Sequence, residues 1–545
     1  MLGSSRLCFV GLLVVALAGA AEATNGLKLT AYGPRSAGRG GVDYAYADDA
    51  IGPATNPAGM AFVYGNRFDQ NWAVVIPKVS WTNQAGETFR NKAGVFIPLP
   101  AFSFGTFVDP SKDWEIAPIF DLGSWGLEDE GPEEATPDAK VKGPPADADE
   151  ESDLAELTDA ELYGGRLRIG FGVFPLAGAK IKIANMRTAE NDGNPIISRP
   201  VNYETNVLSL IFAPSVAYRF NKHFSAGITF QVRYTQFELD GVIAQPLSTL
   251  SPAFRTVTSI FSEEGQILTV ADIDDGSTNT ENNNGQWGVS FRIGVQFRSR
   301  YFSAGLIYQD RTYSTDIFGR ASVDATDQIM AILANSGLPL SAISALGVNP
   351  ALGFASEYDV RIQDFEFPRM FGLGFAFNPH ERFSIGFDYT FILWEEVMRV
   401  FKSRLSNGSN PNLDVITSPT LNVRIPLGFR NQHVIAVGLS ALALRGDDIV
   451  EGVPSYELVL RAGWNYAKNP TPGKTTLPQQ PTIGEHHATT GFTFHWGPLV
   501  ELSFAFDYTL PTSLSTGQHE GNFTLSNSKQ RMSIMFFHFG LGVNF

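Results

Sequence analysis

Cysteine is almost missing from this chain: its 545 residues include one, Cys8. That residue falls within residues 1–23, where Arg6 precedes the apolar run Leu7 to Ala20 and Ala21-Glu22-Ala23 follows. A charged start, a greasy middle and an A-x-A exit make a secretory signal peptide, so cleavage is expected after Ala23. The mature chain then has no thiol, which excludes disulfides, cysteine-ligated metals and thiol catalysis. Long apolar runs are missing as well. Beyond the leader no stretch reaches the roughly 18 uncharged apolar residues of a membrane helix. A mature chain that crosses a bilayer must therefore do so with strands whose backbone groups pair laterally. There is no excess of basic charge either: the net charge is −16, and residues 128–161 supply most of it, with 14 Asp or Glu against Lys140 and Lys142. The rest is nearly balanced, which argues against nucleic acid as a partner.

What the chain does have is Phe (42), Gly (53) and 43% hydrophobic residues at a mean hydropathy of −0.04, a composition closer to a barrel than to a helical membrane protein. The closing segment shows why. Phe537, Phe539, Leu541, Val543 and Phe545 fall on one side of a strand, and Phe536, His538, Gly540, Gly542 and Asn544 on the other. Greasy outward and small or polar inward is the requirement for a lipid-facing barrel wall. Phe224, Ala226, Ile228, Phe230, Val232 and Tyr234 alternate in the same way with Ser225, Gly227, Thr229, Gln231 and Arg233. Repeats of this pattern predict an all-β fold, a transmembrane antiparallel barrel of about 14 strands, near 68–80, 93–107, 166–176, 205–220, 223–238, 286–299, 301–312, 362–377, 381–396, 422–443, 455–467, 487–497, 500–509 and 531–545. An even count puts both chain ends in the periplasm. Residues 24–64 are Gly-rich and lack sustained alternation, so they form a separate N-terminal unit, and 65–545 form the barrel.

Three long segments interrupt the pattern. Residues 239–285 and 313–360 are expected to be large extracellular loops, the second containing one or two short amphipathic helices with Ile329, Met330, Ile332 and Leu333. Their apolar groups make either a loop mini-core or a capture surface for a greasy ligand. Residues 109–165, acidic and Pro-rich, fall where the topology gives a periplasmic turn, and read as a solvated insertion or a periplasmic docking segment. No serine stands in a nucleophile elbow, and the histidine pair His486-His487 lacks a third ligand, so neither an enzyme nor a metal site is expected and no cofactor is implied.

The N-terminal unit carries Ala31-Tyr32-Gly33-Pro34, Gly38-Arg39-Gly40-Gly41, Ala47-Asp48-Asp49-Ala50 and Thr55-Asn56-Pro57-Ala58-Gly59-Met60. In that order the set resembles the hatch of the FadL/TodX family of outer-membrane transporters for long-chain fatty acids and hydrophobic hydrocarbons. The likeness continues through Pro214 to Phe220, Phe302 to Tyr308, Leu460 to Tyr466 and the closing strand.

The resemblance implies a barrel plugged by residues 24–64 and passive, cofactor-free transport of a hydrophobic small molecule. Capture by the two large loops leads to a lumen pocket gated by Asn56, Pro57 and Ala58, then to sideways exit through a kinked third strand. It implies a pocket role for Leu27 and an inward Arg461, which either binds a ligand carboxylate or pairs with Glu457 or another wall carboxylate. Gly170, Gly172 and Pro175 either weaken the third strand or are ordinary strand residues. Expected partners are outer-membrane lipid and lipopolysaccharide, the barrel-assembly machinery, and no second subunit. The competing reading is a structural or adhesive barrel with a permanently sealed lumen.

Overall fold

The computed structural model describes residues 25–46, 49–63, 66–91, 101–108, 166–187, 199–252, 254–255, 266–274, 285–335, 344–345, 347–417, 420–450, 453–480, 482–497 and 499–544. The expected leader 1–23 and the acidic segment 109–165 lie outside them. Strand Arg67–Thr82 pairs antiparallel with Ala101–Val108 on one side and with Lys529–Asn544 on the other. First and last strands thus meet, and the sheet closes into a barrel without free edges. Among the described residues no helix is long and apolar enough to cross a membrane.

The sheet contains 22 segments among the described residues, more than the expected number of strands, because long strands are broken into collinear pieces. Val201–Phe212 and Ser215–Arg219 lie end to end, both between Leu167–Met186 and Phe224–Pro246. Pro214, which has no N–H to give the ladder, sits at their junction. The long expected strand 422–443 divides in the same manner into Leu421–Pro426 and Gln432–Arg445.

The two expected extracellular loops are partly wall. Strand Phe224–Pro246 continues well past Tyr234, and Gln266–Asp274, Ile317–Asp324 and Ala355–Gln363 pair beside it. They read as loops because the polarity of the strand inverts. Along Phe224–Pro246 the lower inward residues are Ser225, Thr229, Gln231, Arg233 and Thr235, all buried, while Ile228 and Phe230 face out. Higher up, the inward residues are Phe237 and Leu239, and the outward ones are Glu238 and Asp240. Below that level lipid surrounds a polar lumen. Above it water surrounds an apolar lumen, so the same two-residue period carries the opposite chemistry. Leu167–Met186 makes the change with a register shift between Pro175 and Ala177, after which Ile181 and Ile183 are buried where Arg168, Gly170 and Gly172 were below.

The upper end is tied together by residues 516–528. The Nε2 of His519 lies 3.0 Å from the Thr476 carbonyl, and its Nδ1 accepts from the N–H groups of Gly521 at 3.1 Å and Asn522 at 2.9 Å. These bonds require the neutral ring protonated on Nε2, and burial holds the His519 pKa below the usual histidine value. The unfolded segment therefore binds a proton more readily than the folded one, and stability here is lost as pH falls through about 6.5. Limited proteolysis of the intact barrel should cut within 516–528 faster at pH 5 than at pH 7.5, and His519→Asn should remove most of that difference.

Candidate hatch and ligand cavity

The described hatch residues, 25–46 and 49–63, occupy the polar lower lumen. Their local structure follows from proline and an Asn cap: helix Gly33–Gly38 has Pro34 in its first turn, and 3₁₀ turn Pro57–Phe62 follows Asn56, whose Oδ1 accepts from the Ala58 N–H at 3.1 Å. The Asn56 Nδ2 donates to the Tyr44 carbonyl at 2.8 Å and to the Val295 carbonyl of the wall at 3.3 Å. One side chain thus caps the turn, ties two parts of the hatch together and fixes both to the barrel.

The wall meets this plug with glycines. A β-carbon built on Gly294 would lie 2.0 Å from Asn56 Oδ1, and one on Gly227 would lie 2.6 Å from the Pro57 carbonyl carbon. Gly463 and Gly438 stand equally close to Arg39. These glycines pair across strands, Gly227 with Gly294 and Gly438 with Gly463, so the wall has smooth patches where the hatch backbone rests. Around them the polar wall supplies bonds. Asp388 Oδ2 accepts from the N–H groups of Asp43 at 2.7 Å and Tyr44 at 3.0 Å, Arg292 donates to the Thr55 carbonyl at 3.1 Å, and Ser225 donates to the Ala58 carbonyl at 2.8 Å. Beneath helix Gly33–Gly38, Glu501 takes Arg35 and, at 2.7 Å, Arg67, while Asp69 accepts from the Ala50 N–H at 2.7 Å.

Above the hatch is a different environment. An apolar cavity of about 40 Å³ lies between Ile243, Leu250, Ile273, Ile329, Leu413 and Ile416. A single water needs about 10–15 Å³ on the same measure, so anything larger than a few waters would fit only by displacing side chains. The side chains around it belong to one contiguous apolar cluster that reaches down through Trp394 and Phe174 to Leu27 at the start of the hatch. Phe174, inward beside the Pro175 shift, meets the hatch residue Tyr32 edge to face, with ring centroids 6.0 Å apart.

The residues singled out from sequence are dispersed over this arrangement. Asn56, Pro57 and Ala58 are buried at the hatch–wall contact, and Leu27 joins the apolar cluster. Ile329 lines the cavity and Leu333, one helical turn on in Thr326–Asn335, is buried in the same apolar cluster, whereas Met330 is 41% exposed on the other side of that helix. The side chain of Ile332 lies outside the described residues. Arg461 is remote from this cavity: its Nη1 donates to Thr493, and it packs against Gly38 of the hatch helix. Glu457, its expected pairing partner, instead accepts from Arg445 at 2.8 Å. Gly170 and Gly172 are laddered to both neighbouring strands, and the irregularity is at Pro175.

Sequence reasoning missed two contributors. Segment 400–426, with helix Pro411–Ile416, supplies Leu405, Leu413, Ile416 and Val423 to the cavity; the polarity inversion of its strands was the available signal. The other is Lys28, whose ammonium donates to the Met370 sulfur at 3.0 Å.

Residues 176–535 match the family described as outer membrane protein transport protein (OMPP1/FadL/TodX). Among solved structures, the chain is similar to the Pseudomonas putida toluene transporter TodX, with a TM-score of 0.64, 16% identity, and coverage of 96% of this chain and 100% of that one. The Ralstonia pickettii toluene transporter TbuX gives a TM-score of 0.57 at 14% identity, covering 94% and 98%. A Pseudomonas aeruginosa FadL homologue gives 0.60 at 13%, covering 95% and 100%. At these identities the solved structures establish the shared fold. No curated protein matches the chain. With two thirds of its length matched by one family and a closed, plugged barrel, the chain is a bacterial outer-membrane protein and belongs to the outer membrane protein transport family that includes FadL and TodX.

Proposed function

We propose that this protein carries hydrophobic small molecules passively across the outer membrane. The observation that carries the reading is the single apolar cluster joining the extracellular cavity at Ile329 to Leu27 in the hatch. A solute enters beside Ile329, Leu413 and Ile416, moves down past Leu333 and Trp394 to Leu27, and waits there for the hatch to shift. Asn56, Pro57 and Ala58 hold the hatch closed, and Arg461 braces its first helix. Release is sideways, at the Pro175 irregularity, where the ladder is interrupted and Tyr32 of the hatch already touches Phe174. A lateral route keeps an apolar solute in lipid, and each methylene kept out of water is worth about 0.8 kcal/mol. No reaction or energy input is needed.

The test is uptake of radiolabelled toluene and oleate by cells making the protein or its Asn56→Ala variant, against cells with no transporter. Uptake of at least one probe well above the empty control, changed severalfold by Asn56→Ala, is the expected result. A folded barrel with uptake equal to the control would instead support the sealed structural or adhesive barrel.

A further inference from the structure

The outer face of the upper wall gathers cations on strands that lie side by side. In Ala355–Gln363, Val400–Ser406 and Leu421–Pro426 the inward residues, among them Val360, Leu405 and Val423, are buried against the apolar lumen, which leaves Arg361, Lys402, Arg404 and Arg424 pointing out. Register sets Arg361 directly opposite Arg404, and Lys402 directly opposite Arg424. Like charges that face each other across a ladder destabilise a sheet. The packing of the wall does not require them, because the alternate residues do that packing.

Carboxylates answer only part of this charge. Arg361 pairs with Asp316, and Lys402 pairs with Asp364 at 2.8 Å. Arg430 stands at the foot of the same strands, where the Phe429 N–H bonds to the Met398 carbonyl at 3.2 Å. Among the described residues, no carboxylate lies within ion-pairing distance of Arg404, Arg424 or Arg430, and all three are exposed.

The height of this patch points to its occupant. Beneath it the outward row is Phe371, Phe391 and His433, paired across three strands, with the His433 ring stacked 4.7 Å from that of Phe391. Exposed Phe318 adjoins the cations, its ring centre 5.8 Å from the Arg361 guanidinium carbon. In outer-membrane barrels the long end faces away from the cell, so the cations begin where the aromatic wall meets the head groups of the outer leaflet. An arginine fork matches phosphate oxygens with paired hydrogen bonds, and basic clusters at a membrane surface hold anionic head groups.

We propose that Arg404, Arg424 and Arg430 form an outward binding site for the phosphorylated sugar head of lipopolysaccharide, whose acyl chains lie below against Phe371 and Phe391. A head bearing several anionic groups suits three unanswered cations spread over two strands and their foot, whereas an ordinary phospholipid brings one phosphate. Bound phosphate also removes the repulsion between facing cations, so the lipid steadies the strands that enclose the upper cavity. The site lies outside the lumen, and the inference stands apart from whatever the barrel carries.

The experiment measures binding of fluorescent lipopolysaccharide to the purified barrel, with folding checked by heat-modifiable migration. Arg404→Gln/Arg424→Gln/Arg430→Gln should bind at least tenfold more weakly than wild type, and Lys222→Gln, in a turn at the lower end, should stay within twofold. Chemically dephosphorylated lipopolysaccharide should bind wild type as weakly as the intact lipid binds the triple variant. Saturating lipopolysaccharide should raise the temperature of the migration change in wild type and have little effect in the triple variant. Absence of binding by wild type, binding by the folded triple variant within twofold of wild type, or equal binding of the dephosphorylated lipid would each overturn the proposal. Displacement by phosphatidylglycerol at equal concentration would do so as well, by assigning the patch to phospholipid.

Discussion

Gly294→Val should unplug the barrel. The new β-carbon would fall 2.0 Å from Asn56 Oδ1 and 3.0 Å from the Pro57 ring, an overlap that no side-chain rotamer relieves. Two responses are open to the protein, and magnitudes decide between them. Forcing excess volume into packed structure costs about 1–3 kcal/mol, and the bonds of Asn56 to the hatch and wall are worth about 1 kcal/mol each. Gly294 itself is laddered on both sides, to Gly227 and Ile307, within a closed sheet that valine suits better than glycine. The hatch contact should therefore yield first. Single-channel conductance in planar bilayers is expected to rise at least tenfold over wild type, and cells should become sensitive to bulky antibiotics. Val295→Ile, next in the chain but lipid-facing, should leave conductance unchanged. Loss of heat-modifiable folding in Gly294→Val, or a closed pore in a folded barrel, would contradict this account of how the plug is seated.

Ile329→Asp should abolish most hydrophobic uptake, and Met330→Asp should not. The two residues are neighbours on one helix, yet Ile329 is 4% exposed against the cavity and Met330 is 41% exposed. Burying a carboxylate among Ile243, Ile273 and Leu413 costs several kcal/mol unless it takes a proton or draws in water. Either response wets the entrance to the apolar cluster. A fall of at least tenfold in uptake of toluene or oleate is expected for Ile329→Asp, with surface expression unchanged, against a change within twofold for Met330→Asp. Similar losses in both variants would mean that the outer face of the helix, and not the cavity beneath it, captures the solute.

Much of this was legible in advance because a lipid-facing strand leaves a strong trace. Phe537 to Phe545 and Phe224 to Tyr234 alternate apolar residues with small or polar ones, as a wall between lipid and a polar lumen requires. The hatch was legible for another reason: its glycines, prolines and Asn56 encode local turns that need no distant partner to be recognised. The upper wall was misread where the same alternation carries opposite chemistry. Glu204, Asp240 and Asp272 face outward there while Tyr203, Leu239 and Ile273 face in, so residues 239–285 and 313–360 look like polar loops with stray apolar groups. Wall glycines such as Gly227 and Gly463 gave a signal too, since they sit inward and oppose other glycines, but pairing is visible only once register is known.

The sequence by itself determined the class of the molecule, its compartment and its plug, since these follow from period, composition and local turn chemistry. Tertiary structure alone decided which residues share a site. It joined Ile329 to Leu413 and Ile416, set Arg461 against the hatch helix, and brought Lys28 to Met370, more than three hundred positions away. Those contacts depend on how far each strand rises and where its neighbours pair, and closure of the barrel fixes both only when all the strands are present together.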